Sequence, residues 1–281
     1  MAVPVKQASC LRQVLSILGL LFAVTLSGCA TVAGMFSEDP FAVTEPRQRI
    51  TGQAAYRTPE QVARPMSPDE QAVLASARTL IGRGPETTVN VNGRTFVLDC
   101  IGTVSAIFYA MNIDVQADFP RYGGNGVSRL YKSLAAQKVL HGDLYPRPGD
   151  IIFWDNTWDA NGNGNLNDDP MTHAAVVLSV DDDGTIHYVH EHVTKGVTVE
   201  AMNLLRPREY YGPQGRIINN AIALNSGISR RNNPPHWTSG DLWNSFGDIL
   251  RVRGHFAVAD ASADSQPPQD VLLAMRPPNP W

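Results

Sequence analysis

Cysteine is scarce in this chain: three residues in 281, Cys10, Cys29 and Cys100, far apart from one another. That excludes a disulfide framework and a four-thiolate zinc site, so each cysteine has to be explained singly. A dominant charge of one sign is missing too. Twenty-three basic and 27 acidic side chains leave a formal net charge of −4 with no long run of either. There is no basic stripe to neutralise a phosphate backbone, so nucleic acid is not an expected partner. No apolar run reaches the roughly 18 residues that read as a membrane-spanning helix. What remains, 43% hydrophobic and 18% charged residues, is the composition of a globular protein of one to two domains, expected to be a monomer.

The amino terminus reads as an address. Lys6 and Arg12 precede a largely apolar stretch over 14–26, too short to cross a bilayer and suited to a signal-peptide core. It ends in Leu26-Ser27-Gly28-Cys29, which resembles the bacterial lipobox, in which the cysteine is acylated and becomes the first mature residue. That resemblance implies removal of 1–28, lipid on Cys29 and attachment to a membrane facing an oxidising compartment. Ala30 after the cysteine favours the outer membrane of the envelope, facing the periplasm. Cys100 would then be the one free thiol.

Residues 29–66 carry Pro40, Pro46, Pro59 and Pro65 and no sustained period, and read as a tether. Ser67-Pro68-Asp69-Glu70 combines a capping hydroxyl, proline at the first helical position and a glutamate three residues after the cap. Val73, Leu74, Ala77, Leu80 and Ile81 give the helix that follows an apolar face, and Gly82 stops it. Asn92-Gly93 between 87–91 and 94–98 predicts a two-residue β-hairpin that delivers the chain to Asp99-Cys100. Ile101, Val104, Phe108 and Met111 form one stripe, which places Cys100 at the amino-terminal end of a buried helix. A further helix is expected over 127–137, and strands over 151–154, 173–180, 185–191 and 197–200. Helices first and antiparallel strands after them is the α+β pattern, helices packed against a small sheet. Residues 205–254 read as an extension packed on or near the 67–204 domain, with a helix over 239–250, and 255–281 as a loose tail.

A thiol is a useful nucleophile as its thiolate, and a helix amino terminus with a nearby imidazolium lowers its pKa. Cys100 has the first of these. His173, at the beginning of a strand, is the candidate for the second, and His190 the candidate to orient it. Strand alternation puts Ile186, Tyr188, His190 and His192 on one face, and one face alone can meet His173.

Three motifs in order, Asp99-Cys100-Ile101-Gly102 before an apolar helix, Arg147-Pro148-Gly149-Asp150 before a strand, and Thr172-His173-Ala174-Ala175-Val176-Val177, resemble the NlpC/P-sixty cell-wall cysteine peptidases and the related CHAP amidases. The resemblance covers about 67–204. It implies a papain-like fold and hydrolysis of an amide in peptidoglycan stem peptides, with Cys100 as nucleophile, His173 as base and His190 as the third polar residue. Ile101 stands where the family usually has serine, and the Asn92-Gly93 hairpin stands in place of its Tyr-x-Trp-Gly-Gly segment.

Between the second and third motifs, Asp159, Asn161, Asn163 and Asn165 place oxygen side chains at alternate positions with Gly164 sixth, as in an EF-hand-like loop. Asp168 or Asp169 would close the shell of a structural calcium ion; Pro170 stands at the twelfth position, where such loops have glutamate. The ion-free reading is an Asn-Gly-rich surface turn. Two other functions stay open. His173, His190 and His192 could be the ligands of a zinc hydrolase. Alternatively, a lipoprotein of the same fold could bind the envelope without turnover, a reading motivated by Ile101 and the missing tyrosine.

Overall fold

The structure, a computed structural model, describes residues 64–223 and 237–258. The signal segment, Cys29, most of the tether and the end of the chain lie outside the described residues, as do the expectations attached to them.

Helix α1 (Pro68–Leu80) starts as its capping box requires: the Ser67 hydroxyl accepts from the Glu70 N–H and the Glu70 carboxylate accepts from the Ser67 N–H. Glu70 is 3% exposed, and guanidinium groups at 2.8 Å (Arg64) and 2.6 Å (Arg147) make its burial tolerable. Arg147 opens the Arg-Pro-Gly-Asp motif, whose Asp150 carboxylate accepts the Arg147 N–H at 2.6 Å, closing the turn into the sheet. That motif thus joins the start of α1 to the sheet.

Strands β1 (Thr88–Val91) and β2 (Arg94–Val97) pair antiparallel around Asn92 and Gly93, both at positive φ. The hairpin ends at Asp99, whose carboxylate caps α2 (Cys100–Tyr109) by accepting the Gly102 N–H at 2.6 Å. Helix α3 (Gly126–Ala136) follows, with Val127, Leu130 and Leu134 buried at helical spacing. Six antiparallel strands then form one sheet: β3 (Leu140–His141), β4 (Ile151–Trp154), β5 (His173–Val180), β6 (Thr185–His192), β7 (Gly196–Asn203) and β8 (Trp243–Gly247), in the order β3-β8-β4-β5-β6-β7.

The fold is α+β. Residues of α1, α2 and α3 share one core with Ile151, Phe153, Ala174, Val176, Val189 and Val197. The opposite face of the sheet, with Ile152, Trp154, Ala175, Val177, Ile186, Tyr188 and Met202, is covered by Ile222, Ala223, Trp237 and Leu242 from the later chain.

Two expectations fail here. The helix over 239–250 is one turn, α4 (Ser239–Leu242), followed by β8, which pairs with β3 and β4. The region after 204 therefore completes the sheet rather than lying beside it. The start of the supposed loose tail is also fixed: Phe256 is fully buried, its carbonyl accepts the Asp114 N–H, and His255 Nε2 lies 2.7 Å from the Asp118 carboxylate.

Gly102 is where α2 meets the hairpin. A Cβ there would stand 1.7 Å from the Val97 carbonyl oxygen, a backbone atom with no freedom to give way. Gly102→Ala should therefore push the first turn of α2 off β2 and lower the unfolding free energy by about 3 kcal/mol. Gly254→Ala, where a Cβ meets nothing within 4 Å, should change it little. Urea denaturation of the two variants checks this; equal midpoints would contradict the close approach.

Candidate active site

Cys100 is the first residue of α2 and is partly buried against the core that contains Ala174. Its sulfur is a favourable neighbour for the backbone N–H groups of Ile101 and Ala174, so it sits where the helix tip meets the start of β5, at the residue after His173. Ile101, next to Cys100, packs on α3: a Cβ on Gly126 would lie 3.0 Å from its Cγ2. It anchors the two helix starts to each other.

The beginning of β5 is held from several sides. Trp154 and His173 are register partners, and their rings lie 5.7 Å apart. Just before it, the Met171 N–H donates to Asp155 at 2.9 Å, the Asn125 amide donates to the Met171 carbonyl, and the half-exposed Trp158 indole N–H donates to the Thr172 carbonyl at 3.3 Å. The His173 ring turns toward β6, where its Nε2 lies 2.9 Å from Nδ1 of His190. His190 is 2% exposed, and its Nε2 stands 3.2 Å from Oε2 of Glu200. The other Glu200 oxygen accepts from Lys195 Nζ at 2.7 Å. Strand pairing produces this line. Tyr188 is opposite Glu200 and His190 opposite Thr198, so His190 and Glu200 are diagonal neighbours on one sheet face.

The structure therefore brings His173 and His190 together and adds Glu200. The carboxylate sits in an alternating strand with Met202 on the same face, a position otherwise used for core. Sequence alternation hides this, because Val197, Val199 and Ala201 make the other face of the strand the more apolar one.

The electrostatics correct the expectation of a preformed thiolate. Burial pushes the Cys100 thiol up to about 12, and the carboxylates of Asp99 and Glu191 add to this, while the Ile101 and Ala174 amides oppose it. Burial, with His190 beside it, also holds His173 well below the usual histidine range, against the pull of Glu200. The resting pair is a neutral thiol and a neutral imidazole, and no hydrogen bond joins them. Glu200 is the ionised member: burial disfavours its charge, but His190 and Lys195 outweigh burial and bring it to about 2.

His192, named with His173 and His190 as a zinc-ligand alternative, has its Nδ1 3.2 Å from the Thr194 N–H, which it accepts. Nε2 of His173 and Nδ1 of His190 face each other rather than a common third point. No group of three or more His, Cys, Asp or Glu side chains is placed to hold a metal among the described residues.

In the 159–169 loop, Asp159 accepts the N–H groups of Gly162, Asn163 and Gly164, and Asn161, Asn163 and Asn165 each accept the N–H two residues on. The amides of Asn161 and Asn163 donate to Asp168. These are successive Asx turns. Asp169 is different: 2% exposed, it accepts the Asn161 N–H through Oδ1, while Oδ2 is buried with no partner.

No protein-family model matches this chain, and no curated protein matches it significantly.

The raised thiol pKa gives a direct test. Only the thiolate reacts with iodoacetamide, so with the pKa near 12 roughly one Cys100 in 10⁵ is reactive at pH 7. Alkylation of the free protein should be slow at neutrality and rise about tenfold per pH unit through pH 9, read by intact mass. A rate that levels off below pH 7 would show a preformed thiolate–imidazolium pair.

Proposed function

We propose that this protein is a papain-like cysteine hydrolase that cleaves amide bonds in peptidoglycan stem peptides. The observation that carries the reading is Cys100 at the tip of α2 beside the start of β5, with the next ring, His173, held at 2.9 Å by His190. The ordered motifs around Cys100, Asp150 and His173 support the substrate class by resemblance.

A neutral pair can do this chemistry by moving the proton during attack, as hydroxyl nucleophiles do. With Nε2 of His173 committed to His190, Nδ1 is the nitrogen left to serve Cys100. Substrate binding brings thiol and imidazole together, since catalytic hydrogen bonds in free enzymes are often long. The Cys100 proton passes to Nδ1 as sulfur adds to the carbonyl carbon. Asp99 already takes the Gly102 N–H through its side chain and the Thr103 N–H through its carbonyl, so the Cys100 N–H is the helix-tip donor that faces the oxyanion. His173 gives its proton to the departing amine, the C–N bond breaks and a thioester remains. Water, deprotonated by His173, then hydrolyses the thioester and the thiol is restored.

A calcium ion in the 159–169 loop would be held by Asp159, Asn161, Asn163, Asn165 and Asp168, whose oxygens would have to turn from their present N–H partners onto the ion, because no three carboxylates converge on one point among the described residues. The ion would brace the segment before His173 and take no part in bond making. Lipid on Cys29 would hold the enzyme, as a monomer, in the outer membrane facing the periplasm.

One experiment tests these together. Purified stem peptides are incubated with wild type and Cys100→Ala, with iodoacetamide and EDTA arms, and the products and the mature amino-terminal peptide are read by mass spectrometry. Wild type should release a defined fragment, Cys100→Ala should lose about 10⁴-fold or more of that rate, and protein alkylated to completion at about pH 9 before the assay should do the same. EDTA should lower the melting temperature by several degrees without lowering the initial rate, and Cys29 should carry acyl mass. Cleavage that survives Cys100→Ala but stops with EDTA would overturn the cysteine mechanism in favour of His173, His190 and His192 on a metal. Peptide binding without cleavage by wild type would make the protein a binding lipoprotein.

A further inference from the structure

We propose that Glu200 is the positioning residue of this site: through His190 it fixes which nitrogen of His173 carries hydrogen, so that the Nδ1 lone pair is the one presented to Cys100. The chemical use of that lone pair rests on the hydrolase reading; the geometry does not.

The argument begins at the buried end. An ionised carboxylate has no hydrogen to give, and Glu200 Oε2 lies 3.2 Å from Nε2 of His190, a contact bent away from good hydrogen-bond angles. Each of these two atoms is buried and has no other hydrogen-bond partner among the described residues, so each is the other's sole complement. Were Nε2 of His190 to carry a lone pair instead, two acceptors would face each other out of water, an arrangement a low-dielectric interior penalises heavily. Nε2 of His190 therefore carries the hydrogen. When that ring is neutral its Nδ1 is an acceptor, and it lies 2.9 Å from His173, whose Nε2 is then the donor. A His190 imidazolium would instead donate through Nδ1 and leave the hydrogen of His173 on its own Nδ1, the arrangement that the tautomer measurement below distinguishes. His173 is neutral, so beside a neutral His190 its remaining nitrogen, Nδ1, carries a bare lone pair. One carboxylate sets two tautomers in series.

Lys195 completes the device. Its ammonium, on an exposed side chain, binds Oε1 from the solvent side and leaves Oε2 for His190. The pair holds Glu200 ionised, its pKa at about 2. A purely structural role would not need this charge, because the Glu200 side chain is only 3% exposed on a sheet face otherwise packed with Ile186, Tyr188 and Met202. An apolar residue would fill that space at lower desolvation cost.

The experiment uses the full chain labelled with ¹⁵N-histidine, read by long-range ¹H–¹⁵N correlation at pH 7.5, beside steady-state kinetics on stem peptides. In wild type both His173 and His190 should be Nε2–H tautomers, a measurement that needs no variant and so does not depend on any variant folding. In Glu200→Gln, Lys195 keeps the side-chain carbonyl and the amide NH₂ turns to His190, so both rings should switch to Nδ1–H. The kcat should then fall about 10³-fold with KM within about twofold, the scale of a tautomer error behind a nucleophile. Glu200→Asp, still an acceptor, should keep the wild-type tautomers and recover most of the lost kcat. Nδ1–H rings in wild type, or rings unchanged in Glu200→Gln, would overturn the proposal while leaving the hydrolase reading to its own Cys100→Ala test. A tautomer switch in a protein that cleaves nothing would support the role of Glu200 and overturn the hydrolase reading.

Discussion

The meeting of the α2 tip with the first residues of β5 is the constraint on which this structure turns. A helix start leaves backbone N–H groups without partners, and here Asp99 satisfies Gly102 and Thr103, leaving the earliest amides at the sulfur. The approach is tight enough that residue 102 has to lack a side chain, because the Val97 carbonyl occupies the space a Cβ would take. The capping carboxylate carries a cost for the chemistry. The same Asp99 that orders the helix adds negative charge beside Cys100 and helps keep it a thiol. Local folding and thiolate formation therefore oppose each other at this residue, and burial decides for the neutral form.

That outcome changes what the proposed hydrolase asks of its sulfur. A helix terminus favours an anion by well under the desolvation penalty of a shielded sulfur, so a location at a helix start does not by itself ionise a cysteine. With His173 also neutral, the proposed reaction has to proceed by proton transfer in the transition state, which demands a base with a bare nitrogen at a defined place. The geometry of the histidine pair then matters more than the resting charge of either member. It also explains why β5, β6 and β7 contribute together: a diagonal of three side chains on one sheet face is rigid in a way that a loop-borne carboxylate is not.

Much of this was legible in the residues, for identifiable reasons. The capping box at Ser67, the Asn92-Gly93 hairpin and the position of Cys100 all depend on short-range backbone chemistry, which sequence spells out directly. The alternation of β6 put His190 on a definite face, and that is the face the His173 ring meets. The segment after 238 was misread because Leu242, Phe246, Ile249 and Leu250 fall at helical spacing as readily as on a short strand, and only the β3 and β4 partners decide between them. Phe256 was hidden by the run of small and polar residues that follows it, which suggested looseness. The thiol pKa was out of reach of sequence altogether, since desolvation depends on what the fold packs around the atom.

Glu200 belongs between these cases. Its face-mates Thr198 and Met202 could be counted from the strand, but not that this face is inward, since Val197, Val199 and Ala201 make the other face more apolar, nor its partner, because the pairing of β6 with β7 sets which residue lies diagonally across. Once buried there, a carboxylate must be compensated on both oxygens, and the two compensations differ in kind. Lys195 is a mobile, exposed cation that neutralises charge with little directional demand, whereas His190 is a fixed ring with one hydrogen to place. The direction of the hydrogen-bonded series from Glu200 toward Cys100 therefore originates at the histidine contact. It follows that replacing Lys195 should disturb the carboxylate's charge far more than the orientation of His173, whereas reversing the polarity at residue 200 reaches Nδ1 of His173, the nitrogen proposed to react.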